Sequence, residues 1–169
     1  MITMERKVLK IINILLILSA IGLGLWLLNK NFPRGDLVVD LDLEKAQPMI
    51  SALGPEVRIV TEDDYYIVLE SPVYFDLRSM PWFKQADIYL VFQGQDILEG
   101  IGIQTGPGWS YEVREPVAVV EAEDGFFKAL FSFDLQDYYQ QKNVRRFLIS
   151  TKAGEQDLKI KSLQVRLKR

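Results

Sequence analysis

Residues 71–93 read SPVYFDLRSMPWFKQADIYLVFQ. VYFDL and ADIYLVFQ are short runs rich in β-branched and aromatic residues, punctuated by Pro72 and Pro81-Trp82, and that composition predicts two strands. Upstream, EVRIVTE and YYIVLE flank Asp63-Asp64 and read as a hairpin. In DLVVDLDL, Leu37, Val39, Leu41 and Leu43 share one face while Asp40 and Asp42 take the other. EKAQPMISAL suits one or two helical turns before the Gly54-Pro55 break. Downstream come ILEGIGIQT, the Gly106-Pro107-Gly108 turn, WSYEVRE, PVAVVEAE, the Asp124-Gly125 turn and FFKALFSFDL. LQDYYQQKNV is polar enough for a loop or a single helical turn, and RRFLISTKAG and LKIKSLQVRLK close the series. Roughly nine or ten short strands at such spacing predict an all-β, antiparallel β-sandwich or barrel over residues 36–169. In the last strand Leu163, Val165 and Leu167 alternate with Gln164, Arg166 and Lys168, so one face is buried and the other carries charge.

The N-terminus is different in kind. From Ile11 to Leu28 the chain is apolar, with Asn13 as its only strongly polar side chain. As a helix this run covers about 27 Å, close to the roughly 30 Å hydrocarbon core of a bilayer. Lys10 is placed to snorkel, and Trp26 sits where an interfacial aromatic belongs. A cleaved signal peptide would have a shorter apolar core and a small-residue cleavage site, whereas here the run continues well past Leu18-Ser19-Ala20. The chain contains no cysteine, so LSAIG is not a lipidation site. The expected organisation is a cytoplasmic tail (1–10), a transmembrane helix (11–28), a linker (29–35) and an extracytoplasmic domain (36–169). The basic tail favours an inside N-terminus, and Ala20 and Gly24 form a small-xxx-small pair.

Within residues 36–169, VYFDLRSMPWFKQADIYLVFQ is similar to the strand–loop–strand of jelly-roll sandwiches of the galactose-binding-like type, the fold of many carbohydrate-binding modules. FDLQDYYQQKNVRRFLIST resembles their stretch in which a helical turn leads into a core strand. KIKSLQVRLK resembles their terminal strand, which lies beside the first. The VYFDL-centred segment is also similar to single-span bacterial membrane proteins. The first resemblance implies a non-catalytic ligand site, in loops at one end or on the concave sheet, and a structural calcium is common in such modules.

Composition removes several kinds of chemistry. With neither histidine nor cysteine, Ser-His-Asp, Cys-His and thiol redox machinery are excluded, as is a zinc site of ordinary composition. A net charge of −3 offers no basic face for nucleic acid. Asp40 with Asp42, Glu62 with Asp63 and Asp64, and Glu121 with Glu123 have the spacing of paired glycosidase carboxylates, though polar strand faces carry such pairs routinely. Glu121, Glu123 and Asp124 beside Gly125 are the candidate calcium ligands, against the plainer reading of a hairpin turn. The candidate ligand-binding residues are Trp109, Tyr111, Trp82 and Gln104, because an aromatic face stacks on the apolar face of a sugar ring. Trp82 beside Phe83 also suits an apolar corner. Trp109, Tyr111 and Val113 share one side of their strand, so burial of Val113 would turn Trp109 toward the core.

The function expected is that of a membrane-anchored, non-catalytic module held in the lipid bilayer by residues 11–28. It would recognise an envelope glycan or a glycan-handling partner. An accessory subunit of a membrane complex is the second reading, and a carboxylate-dependent glycosidase the third.

Overall fold

The computed structural model describes residues 2–31, 35–41, 47–62, 64–152 and 157–169. Asp42 and Asp63, named above as carboxylate candidates, lie outside them. The chain divides into two units, residues 1–35 and 36–169.

The first unit is helix α1 (Ile2–Asn31), which is longer than the 11–28 run and includes residues assigned above to the tail and the linker. Pro33 is the first proline in the chain, and its ring disfavours helical backbone in the residue before it. Side chains are described from Lys10 to Trp26, and the apolar ones, from Ile11 through Leu16 to Trp26, are exposed. Among the described residues no helix is long and apolar enough to cross a membrane.

The second unit is an all-β, antiparallel two-sheet sandwich. Its strands are β1 (Leu37–Asp40), β2 (Ile59–Glu62), β3 (Tyr65–Val68), β4 (Val73–Arg78), β5 (Gln85–Gln93) and β6 (Leu98–Gln104). They continue as β7 (Tyr111–Arg114), β8 (Ala118–Glu121), β9 (Phe127–Asp134), β10 (Val144–Thr151) and β11 (Leu158–Lys168). The larger sheet runs β2-β3-β11-β5-β9-β8, with β1 also on β11, and the smaller runs β4-β10-β6-β7. β11 is long enough to hold two partners along one edge. Leu158–Ile160 pair with β3, and Gln164–Leu167 pair with β1, so the last strand lies beside the first. Its other edge pairs with β5 from Lys159 to Lys168.

Period-two alternation becomes burial. Val73, Phe75 and Leu77 of β4, Ile101 and Ile103 of β6, and Phe147 and Ile149 of β10 face inward from the smaller sheet. Ile88, Leu90, Phe131, Phe133, Leu163, Val165 and Leu167 meet them from the larger one. Phe147 stacks on Phe75 at 5.2 Å and meets Phe133 edge-on at 5.4 Å, joining the two sheets.

The helical turns expected over residues 44–53 are not found in its described part, residues 47–53. Here the backbone bonds to the free edge of β4 instead: Ser51 N–H to the Asp76 carbonyl, Gly54 N–H to the Tyr74 carbonyl, and Arg78 N–H to the Met49 carbonyl. Ile50 and Leu53 are buried along this path. A helix would release those bonds and leave the sheet edge unpaired.

Among the described residues two charged side chains are buried. Arg145 is 5% exposed, with Nη1 donating to Ser79 Oγ and Nη2 to the Leu135 carbonyl. This ties β10 to the loop after β4 and to the 3₁₀ turn Leu135–Asp137. Asp87, on the outer side of β5, accepts hydrogen bonds from Gln85 and Ser132 and pairs with Lys168. Burial pushes its carboxyl pKa up, but the hydrogen bonds from Lys168, Ser132 and Gln85, with the Lys168 charge, outweigh that and hold it below its ordinary value. A carboxyl depressed in the fold contributes stability that is complete above its unfolded pKa of about 4 and is lost as pH falls through the folded value. Asp87→Asn is therefore expected to lower the thermal midpoint at neutral pH. The gap from wild type should narrow once the pH drops below about 4. Melting curves across the acid range check this, and a gap independent of pH would contradict it.

Candidate functional site

The outer face of the smaller sheet is the face that the core does not use. Alternation sends Tyr74 and Asp76 outward from β4, because Val73, Phe75 and Leu77 go in. On β10 it sends out Arg146, which lies directly opposite Asp76. Arg146 donates from Nε to Asp76 Oδ1 at 2.7 Å and from Nη2 to Oδ2 at 2.9 Å, a two-point fork that raises the guanidinium pKa.

Two non-strand segments rise beside this pair. One is the chain from Ser51 to Pro55, pinned along the edge of β4, where Ser51 Oγ accepts from the Asp76 N–H at 2.8 Å. The other is the loop between β6 and β7, which carries the GPGW sequence. Gly108 adopts a φ of +112°, a conformation that side-chain-bearing residues rarely take, and Trp109 follows it. Gln104 Nε2 donates to the Gly108 carbonyl at 2.6 Å, and the Thr105 N–H donates to the Ser110 carbonyl, closing the loop. Trp109 is 74% exposed and meets the Tyr74 ring edge-on at 5.8 Å. Tyr111 lies 5.9 Å from the same ring. Its hydroxyl is buried without a hydrogen-bond partner, and burial pushes its pKa up.

Between these walls is an open groove of about 570 Å³, lined among others by Ser51, Arg58, Tyr74, Asp76, Trp109 and Arg146. It combines an exposed indole, a phenol ring, two guanidinium groups and one carboxylate. Arg58 reaches it from the 3₁₀ turn Glu56–Arg58, with Nη1 donating to the Pro72 carbonyl at 2.8 Å.

The candidates read from the sequence therefore separate. Trp109 lines the groove, and Tyr111 backs it through Tyr74. Gln104 clamps the loop that presents Trp109. Trp82 sits elsewhere, in the turn after β4, and at 40% exposure it is not the core residue that an apolar corner implied; Phe83 beside it, at 2%, takes that position. The condition under which Trp109 would turn inward is not met, since Val113 is itself 42% exposed. β7 is the edge strand of its sheet, and its outward residues are not covered by a second layer.

Glu121, Glu123 and Asp124 form a hairpin turn. The Ala122 N–H bonds to the Phe126 carbonyl, the Phe126 N–H to the Glu123 carbonyl, and Asp124 and Gly125 take positive φ. Glu123 lines a second depression, of about 630 Å³, that it shares with Lys161. Among the described residues no three acidic side chains are grouped to hold a metal ion.

Tyr74, Asp76, Arg58 and Arg146 were not singled out from the sequence. Nothing local marks them, because Asp76 and Arg146 are joined only by strand register across the fold. No protein-family model matches the chain, and no curated protein or solved structure matches it either.

The exposure of Trp109 has a direct consequence for stability. Trp109→Ala is expected to change the unfolding free energy by less than about 1 kcal/mol, as for a surface site. Phe83→Ala should cost about 3–5 kcal/mol, as for a buried aromatic. Denaturant unfolding of the full chain in detergent measures both, and a reversed order would contradict the placement of the two side chains.

Proposed function

We propose that the protein is a membrane-anchored recognition module that binds an envelope glycan in the groove on the smaller sheet, without catalysing its turnover. The observation that carries this reading is the apposition of the exposed Trp109 ring with the Asp76–Arg146 pair across one open groove. A sugar ring has an apolar face bounded by hydroxyls. The indole, with Tyr74 beside it, offers the stacking surface. Asp76 and Arg146 offer acceptor and donor atoms in fixed positions, which suits adjacent hydroxyl groups. Their mutual fork holds both side chains in place before a ligand arrives, which lowers the ordering cost of binding.

The jelly-roll character of the domain belongs to the same reading. Its strand order supports it: β1, β11, β5 and β9 neighbour one another in one sheet, and β4, β10, β6 and β7 in the other. In chain order these eight strands change sheet at every step except β6 to β7, an order that suits two interlocked Greek keys. The membrane anchor is also a proposal. It is supported by the sequence from Ile11 to Leu28 and by apolar side chains exposed on α1 from Ile11 to Trp26, a pattern suited to lipid rather than water. The short basic tail before the run favours a cytoplasmic N-terminus.

A glycan array probed with the full chain in lipid nanodiscs tests the function. The expected result is retention of at least one envelope glycan, with Trp109→Ala weakening it about tenfold or more while the thermal midpoint holds. Absence of any retained glycan, or binding indifferent to Trp109→Ala, would contradict the proposal.

A further inference from the structure

The charges around the groove go beyond generic sugar binding, and the argument from them rests on the reading of the groove as a glycan site. Both oxygens of Asp76 already accept hydrogen bonds from Arg146, so its negative charge is matched within the protein. Arg58 lines the same groove as a second guanidinium. Its Nη1 is held by the Pro72 carbonyl, which aims the group without neutralising it. Its acidic neighbour is Glu70, 3.6 Å from Nε, whose side chain is 73% exposed. An ion pair of that length and exposure is weak and readily displaced. The groove thus holds two guanidinium groups against one carboxylate whose charge is already paired, within a chain whose net charge is −3.

We infer that the groove selects saccharides bearing a carboxylate, the uronic-acid class, with Trp109 stacking on the sugar ring and Arg58 receiving the ligand's carboxylate. A planar guanidinium matches a carboxylate at two points, whereas a neutral hydroxyl takes a single, weaker bond from the same group. Arg146, which lines the same groove, keeps N–H donors beyond the two that it gives Asp76.

The experiment compares hexasaccharides of hyaluronan, polygalacturonate and alginate with their carboxyl-reduced counterparts, using the full chain in zwitterionic nanodiscs. At least one acidic form should bind about tenfold more tightly than its reduced partner, with the advantage shrinking as NaCl is raised. Arg58→Gln should erase the advantage, weakening the acidic form far more than the reduced one, and Arg58→Lys should retain part of it. Reduced forms that bind as tightly as the acids, or neutral glycans that bind where every acidic one fails, would overturn the inference and leave glycan recognition standing. Failure of acidic and neutral glycans alike would overturn both.

Discussion

The register between β4 and β10 is the constraint on which both the core and the groove depend. Phe147 lies opposite Phe75, and Arg146 lies opposite Asp76. The first pair faces inward, stacks at 5.2 Å and meets Phe133 of the other sheet, while the second faces outward and forms a two-point ion pair. A slip of one residue would turn every side chain of β10 to the opposite face, placing a guanidinium among phenylalanines and a phenylalanine in water. The buried pair therefore enforces the exposed one. The groove need not be stabilised by its own contacts, because apolar packing on the far side of the sheet holds its polar floor in place.

The walls of the groove follow from how the sheet edges are finished. The chain from Met49 to Gly54 bonds to the free edge of β4 and so stands beside Tyr74 and Asp76. On the other side, β7 passes so close to β6 that a Cβ on Gly100 would collide with the Arg114 carbonyl. Glu112 then accepts from Arg114 at 2.9 Å and from the Tyr138 hydroxyl at 3.0 Å, while the Arg114 guanidinium lies over the Phe133 and Tyr138 rings. This cluster ties β7 to the chain segments flanking the 3₁₀ turn after β9. The loop bearing Trp109 springs from that fixed strand and is so presented on a rigid base.

Alternation made the strands legible in the sequence, and with them the two-sheet class and the buried face of the last strand. Leu163, Val165 and Leu167 are all buried, and the final strand lies beside the first. Alternation says which residues share a side but not which side is covered. That is why Trp109, Tyr111 and Val113 group on one side of their strand in the sequence while the direction that side faces stays open there. Residues 47–53 resisted for a related reason: their local composition permits a helical turn, and only the unpaired edge of β4 decides against one. The groove was the least legible feature. Trp109 stood out as an aromatic after a glycine turn, but Asp76 and Arg146 meet through pairing between strands distant in sequence. Arg58 arrives from a turn that leads into the other sheet.

The central claim is that the outward face of β4 and β10, walled by Trp109, is where a ligand sits. Trp109 itself reports on this most directly. With Trp26 and Trp82 replaced by phenylalanine, the remaining indole fluorescence comes from Trp109 alone. Titration with a glycan retained by the full chain should shift its emission to shorter wavelength as the exposed ring becomes covered, with half-saturation at the Kd found by calorimetry. Binding that registers in calorimetry while Trp109 emission stays constant would place the ligand elsewhere and contradict the account.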